Sequence, residues 1–518
     1  MSQTRRVVKN SSYLMIAQAP VQAANAVYVL ILAQRLGVLD FGRFATLWAL
    51  LAFFQTVIEQ GLGRSITRDI ASRTVSLAEG VVNGLVLALG LGLLSVGAMT
   101  ALGWALAAVL GHAPDFVMLA FLAGASLAPR AIWQTASAVF NAQQRMGASA
   151  VLSVIASLGN VGIGLALLAA GQGLPGVLVA SALAQILPLV VAIALLFRII
   201  WPGEKAVSRA VMLPMGRAAT PFVVRALLGI VYFRADLLLL TTLAGFEAAG
   251  VYQAAYKVLE LALILPGAAN SAAYPVISAY LVSNRARAAR AYQRLLGGTF
   301  VVGLPLSALL FVGAAPLVDL LYGAAYSAAV PMLQILAGAI LLSYVNAAPI
   351  TLLAASPRQT ALTMVTAVGL VVNLAVNALL IPSLTGQGAA LAMIASEAVQ
   401  CLLLFGLTGR VLRGANIVRA PEITMMLGLA LSAFLAFVPR ALPDVVPQAL
   451  PQSALGVALD PAWFFAIPGI IVYLVGVALY GRELLAERAF GASADAAGDA
   501  AGEVWDGEIT PAKAGAQP

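Results

Sequence analysis

Apolar blocks of roughly 18 to 30 residues, nearly free of charge, alternate along this chain with short breaks rich in Arg, Asp, Gly and Pro. A helix needs about 20 such residues to cross ~30 Å of hydrocarbon, so each block predicts one membrane-spanning α-helix. About fourteen spans follow, near 12–33, 44–63, 80–110, 116–139, 147–170, 174–197, 218–243, 249–272, 293–315, 328–354, 360–381, 388–408, 421–438 and 462–480. The fold class is therefore an all-α polytopic membrane protein. Met1 to Asn10 is short and basic and enters a full-length apolar segment with no clear small-residue cleavage site, which predicts a retained first span rather than a removed signal. The segment from Pro439 to Pro461 holds five prolines and reads as one long external loop. After Gly481 the chain turns to Ala and Gly with Glu483, Glu487, Asp495, Asp499, Glu503, Asp506 and Glu508, which reads as a disordered cytoplasmic tail.

The pattern repeats. Gly37, Gly42 and Phe44 recur as Gly245, Gly250 and Tyr252; Arg145 and Asn160 recur as Arg358 and Asn373. Gly171-Gln172-Gly173 with Ala180-Ser181 and Gln185 recurs as Gly386-Gln387-Gly388 with Ala395-Ser396 and Gln400. Each half holds six spans, an even number, so both enter the membrane in the same direction, the parallel-repeat plan of transporters that place substrate between two halves. The expected organisation is an N-terminal six-helix lobe over 1–210, a second over 211–415, two additional helices over 416–481 and the tail over 482–518.

Composition narrows the chemistry. With 62% hydrophobic and 10% charged residues and a mean hydropathy of +0.97, a water-soluble fold is excluded. One cysteine (Cys401) and one histidine (His112) leave no disulfide framework and too few ligands for a zinc or iron–sulfur site. None of Lys9, Lys205, Lys257 and Lys513 is followed by Ser or Thr, so there is no P-loop. No enzyme activity and no cofactor is expected.

The net charge of +8 comes from the loops. With the N-terminus in the cytoplasm, 22 of the 29 basic residues fall on the cytoplasmic side and only Arg35, Arg43 and Arg440 outside; Arg130, Arg225, Arg234 and Lys257 lie within spans. That split is a positive-inside signal, places both termini in the cytoplasm, and accounts for the charge by topology and lipid headgroups without nucleic acid.

Polar residues inside the spans are the candidate site. Gln18, Gln22 and Asn25 form one stripe on the first span; Arg225, Gly229, Tyr232 and Asp236 share a face of the seventh; Gln253, Lys257 and Glu260 share a face of the eighth. Lipid does not tolerate such stripes, so they are expected to face one another or a wet cavity. A hairpin centred between Phe246 and Glu247 brings Asp236 to the depth of Lys257, which predicts that pair, with Glu260 one turn further along. Arg130 and Glu397 read as cavity residues or structural partners, Glu59 as interfacial, and Arg234 takes no assigned place.

The run Arg234-Ala-Asp236, Gly250-Val-Tyr252-Gln-Ala-Ala-Tyr256-Lys257-Val-Leu-Glu260, Leu265-Pro266 and Tyr274-Pro275-Val-Ile-Ser278 resembles the polysaccharide biosynthesis (oligosaccharide flippase) family. So do Asn10-Ser-Ser-Tyr13, Leu36-Gly37, Phe41-Gly42-Arg-Phe44 and Ile66-Thr67-Arg68-Asp69 near the start. The resemblance implies the multidrug/oligosaccharidyl-lipid/polysaccharide exporter superfamily. It further implies a flippase that moves undecaprenyl-pyrophosphate-linked oligosaccharide, an O-antigen or exopolysaccharide unit, across the bacterial inner membrane by alternating access. Its partners would be that substrate, membrane lipids and polysaccharide polymerase machinery, with a proton or sodium ion open as coupling ion. The lipid II flippase branch of the superfamily carries a basic residue where this chain has Gln18, Gln22 and Asn25. A drug or cation antiporter of the same superfamily is the first alternative; a membrane glycosyltransferase or polymerase is the second, for which the external loop offers only Asp444 and Asp460. Under the flippase reading, Arg225 is the expected cation for the pyrophosphate, with Lys257 deeper and Arg130 opposite.

Overall fold

The computed structural model describes residues 3–111, 114–200 and 207–412; the two additional C-terminal spans, the proline-rich loop, the acidic tail and His112 lie outside them. Every described element is helical: α1 (Gln3–Thr56), a π-helical turn (Val57–Gly63), α2 (Arg64–Ala71), α3 (Leu77–Val109), α4 (Pro114–Gly124), α5 (Leu127–Ala142), α6 (Met146–Ala169), α7 (Gly173–Leu183) and α8 (Ile186–Ile200). The second half holds α9 (Arg209–Ala262), α10 (Ile264–Ser283), α11 (Arg285–Val312), α12 (Ala314–Tyr322), a 3₁₀ turn (Ala324–Tyr326), α13 (Ala329–Ala355) and α14 (Gln359–Val411).

Nine helical stretches among these residues are long and apolar enough to cross a membrane. Three of them fold back on themselves. In a straight helix Asn25 and Gln55 would stand about 45 Å apart at 1.5 Å per residue, yet both line one cavity. Arg234 and Glu260 of α9 form an ion pair, and Ser396 Oγ of α14 donates to Gly369 O. The reversals occur at single residues, Gly37 (φ 73°), Gly245 (φ 87°) and Thr385 (φ 47°), so the described chain makes twelve passes, six in each half. Short loops are expected at these points from the sequence. Helical hydrogen bonding instead resumes directly after one positive-φ residue, a conformation that Gly37 and Gly245 adopt without a Cβ penalty and that Thr385 adopts against one.

Helix ends follow local chemistry more than hydropathy. α3 begins at a reciprocal cap, in which Glu79 N donates to Ser76 Oγ and Ser76 N to the Glu79 carboxylate. α11 begins eight residues before its apolar block because Asn284 Oδ1 accepts from Arg287 N.

Large apolar side chains face outward, as on α3, where Leu94, Trp104 and Val109 are exposed. Close packing uses small residues, as expected where lipid is as apolar as the interior. The core of the second half is α13, buried along most of its length through Leu333, Leu336, Ile340 and Tyr344. The two halves meet where the second pass lies against the seventh: Thr46 and Thr241 hydroxyls are 2.9 Å apart at one end, and Ser65 Oγ donates to Met215 O at the other. At the Gly37/Gly245 end Phe116 also packs on Phe246, and Tyr326 Oη donates to Ala33 O.

One contact displays the repeat directly. A Cβ on Gly42 would lie 1.8 Å from Phe246 O and 2.9 Å from Gly250 N. A Cβ on Gly250 would lie 2.2 Å from Val38 O and 3.0 Å from Gly42 N. Each glycine thus leaves room for the other half's backbone, one residue past the other's kink.

Candidate functional site

A polar side chain inside hydrocarbon must find partners in the protein or in a wet cavity, and three clusters form on that requirement. The first lies within the second half. Asp236, 2% exposed, accepts from Tyr252 Oη and from Leu237 N. Tyr232 Oη donates to Glu397 Oε1 at 2.9 Å and accepts from Gln400 Nε2 at 2.7 Å, while Asn346 Nδ2 donates to Glu397 Oε2 at 2.8 Å. This network ties the seventh, tenth and twelfth passes together and leaves Glu397 as their structural partner.

The second cluster crosses the α9 hairpin. Glu260 takes Arg234 Nη2 on one carboxylate oxygen at 3.0 Å and Lys257 Nζ on the other at 2.9 Å. Arg234 Nε is buried without a partner. The predicted Asp236–Lys257 pair is therefore corrected: the chain reverses at Gly245 and not between Phe246 and Glu247, which sets Lys257 deeper than Asp236, so Tyr252 meets Asp236 while Lys257 reaches along its own helix to Glu260. Arg234, which the sequence does not place, completes the cluster. Gln253, one turn before Lys257 on the same helix, is buried with Oε1 unpartnered.

The third cluster lies within the first half. Arg130 grips Glu59 through Nε (3.0 Å) and Nη2 (2.6 Å), and Gln134 Nε2 donates to the same oxygen. The reading of Glu59 as interfacial is corrected: it sits half-buried on the π-helical turn, facing the fourth pass. Arg130, read as a cavity residue or a structural partner, is both: it is paired with Glu59 and lines a cavity. Its guanidinium lies 5.7 Å from the Trp133 ring centre, and Trp133 Nε1 donates to Gln185 Oε1. Beside this chain lies a cavity of about 220 Å³ whose walls include Asn25, Trp48, Gln55, Asn160 and Gln185. Asn25 Nδ2 donates to Ser157 Oγ, and Gln22 of the same stripe is exposed.

The structure thus joins Asp236 to Tyr252, Tyr232 to Glu397 and Lys257 to Glu260, and it assigns Asn25 and Arg130 to the first-half cavity. The side chains of Gln18 and Arg225 lie outside the described residues. Trp133 and Gln185 escape sequence reading because an aromatic within an apolar run reads as core. The recurrence of Gln185 as Gln400 is the signal that marks them, since both amides fasten the interior of their own half.

Comparison with known structures places this architecture. The lipid II flippase MurJ in an inward closed conformation superposes with a TM-score of 0.66 at 14% identity, covering 91% of this chain and 99% of that one. An inward-facing multidrug resistance MATE family transporter of the MOP superfamily gives 0.64 at 17% identity over 75% of this chain and 94% of that one. A MOP superfamily transporter from Pyrococcus furiosus gives 0.52 at 18% identity, over 78% and 94%. At these identities the likeness establishes the fold, that of a multi-pass membrane transporter. No curated protein sequence matches the chain. The sequence profile described as polysaccharide biosynthesis protein matches residues 7–281, more than half of the chain and the whole of the Gly37/Gly245 repeat. With both halves folded as these transporters are and that match spanning the Gly37 and Gly245 kinks and the α9 hairpin, the chain belongs to the polysaccharide biosynthesis protein family.

Proposed function

We propose that this protein is a flippase for undecaprenyl-pyrophosphate-linked oligosaccharide in the bacterial inner membrane, with both termini cytoplasmic. The observation that carries this reading is the convergence of Arg234 and Lys257 on the single carboxylate of Glu260. A guanidinium and an ammonium together present eight N–H donors, far more than one carboxylate satisfies. A pyrophosphate entering between the halves can therefore displace or share Glu260, and the guanidinium binds phosphate oxygens through two parallel hydrogen bonds, which an ammonium cannot. Arg225, nine residues before Arg234 on the same helix, is by sequence spacing a second cation nearer the cytoplasm. Alternating access then moves the headgroup while its lipid tail stays in the bilayer, and polymerase machinery on the far side takes the product.

The test is complementation of a deletion strain, scoring surface polysaccharide at matched membrane levels. Arg234→Ala and Arg225→Ala are expected to reduce export at least tenfold, and the corresponding Lys substitutions to restore it only in part. Unchanged surface polysaccharide in the deletion strain, together with cation-driven dye uptake by everted vesicles containing the protein, would overturn this reading in favour of an antiporter.

A further inference from the structure

We infer that the cavity inside the first half is a sugar-recognition subsite that takes one neutral sugar ring of the lipid-linked substrate; this rests on the flippase reading above.

Three of the six passes of this half are interrupted near mid-depth, and the cavity sits among the interruptions. The second pass carries the π-helical turn Val57–Gly63, the fourth breaks between Gly124 and Leu127, and the sixth breaks between Leu183 and Ile186. Broken helices at membrane depth persist where their backbone lines a polar space, and π-turns concentrate at functional positions. Ser126 and Gln185, both at breaks, are in the cavity wall.

The wall has the chemistry of carbohydrate recognition. It is built of five carboxamides, four serines and two indoles. Carboxamides both donate and accept, as sugar hydroxyls require, and the half-buried indole of Trp48 offers flat amphipathic surface for a ring's C–H face, while Trp133, buried behind Arg130, holds Gln185 in place. Charge decides against phosphate: Arg130, the one cation in the cavity wall, is neutralised by Glu59 through two of its nitrogens, so an anion would meet no net positive charge there. An apolar drug fits no better, because Asn160 Oδ1 is buried without a partner, and an apolar ligand would leave it so. The recognition groups are held in place beforehand, since Gln185 accepts from Trp133 Nε1 and donates to Ser181 O. A volume near 220 Å³ has room for one sugar ring. The sugar is thus read in one half and the pyrophosphate in the other, so a bound substrate spans both.

The experiment uses the full-length protein in nanodiscs and intrinsic tryptophan fluorescence. It compares undecaprenyl pyrophosphate with a panel of the same lipid carrying one glucose, galactose or N-acetylglucosamine. At least one glycosylated lipid is expected to bind about tenfold more tightly than the bare lipid, the worth of one or two net hydrogen bonds. Asn160→Leu, Gln55→Leu and Trp48→Phe should each bring that ratio to about one, while Lys257→Met weakens both lipids and keeps the ratio. Equal affinity for bare and glycosylated lipids in the wild type, or an unchanged ratio in all three cavity variants, would reduce the cavity to a hydrated packing feature. If no lipid binds but methyl glycosides still shift the fluorescence in a Trp48-dependent way, the flippase reading fails and the sugar site stands. If neither lipids nor glycosides bind, both fall.

Discussion

A buried carboxylate is only as stable as its donors, and Asp236 has two, Tyr252 Oη and Leu237 N. Tyr252→Phe removes one and leaves the carboxylate under-satisfied, a loss of about 1–3 kcal/mol. Asp236→Asn keeps an acceptor for the tyrosine and should lose less. Thermal unfolding in detergent measures both, and Lys257→Met should fail to rescue Asp236→Asn because the two side chains belong to different clusters. Glu59 and Arg130 behave as a pair: Glu59→Gln alone strands a guanidinium within the membrane and should lower the melting temperature more than Glu59→Gln with Arg130→Gln, the sign of a coupled interaction in a double-mutant cycle. A Glu59→Gln single variant as stable as the wild type would sever that coupling. Sequence reading finds which polar residues are inside the membrane, since hydropathy isolates them, but not whom they meet. Asp236 and Lys257 are equidistant from the turn expected between Phe246 and Glu247, so depth alone pairs them; the reversal at Gly245, together with rotation about the helix axis, which hydropathy in an all-apolar surround does not encode, hands Asp236 to Tyr252 instead.

At the level of helices, the two kinds of glycine in the repeat make opposite demands. Gly37 has open space around a Cβ but a left-handed backbone, whereas Gly42 has an ordinary helical backbone and another helix where a Cβ would go. At φ 73° and ψ 173° Gly37 holds a conformation essentially reserved for glycine, so Gly37→Ala should cost on the order of 1–3 kcal/mol. Gly42→Ala must push the eighth pass away and should cut membrane accumulation severely, with Gly250→Ala matching it. Accumulation measured by in-gel fluorescence of a tagged chain tests the contrast, and equal loss in Gly37→Ala and Gly42→Ala would contradict it. The repeat and the twelve passes are legible in the sequence because both rest on spacing along the chain: Gly37 to Gly42 and Gly245 to Gly250 carry the same interval. The interruptions of the second, fourth and sixth passes are not legible, since Val57–Gly63 and the Gly124–Leu127 break stay apolar enough to read as continuous helix.

Across the molecule, the left-handed glycines Gly37, Gly111, Gly171, Gly173, Gly245 and Gly323 all fall at turns on one side, while the left-handed Arg73 and Gln144 fall on the other with the basic loops. Tight turns thus mark one membrane face and arginine-bearing turns its opposite, which the positive-inside rule identifies as cytoplasmic. Reporter fusions after Gly171, Gly245 and Gly323 should read external, and fusions after Arg73, Gln144 and Asn284 internal; the reverse assignment at Gly245 and Asn284 would invert the topology. The Gly42–Gly250 contact carries a consequence for biogenesis. Each glycine's vacancy is filled by backbone from the other half, so the first half, once inserted, keeps an open notch at Val38–Gly42 until the translocon has released the chain beyond residue 250. Over some two hundred residues of synthesis that notch has no helix to fill it, and it closes when the eighth pass arrives.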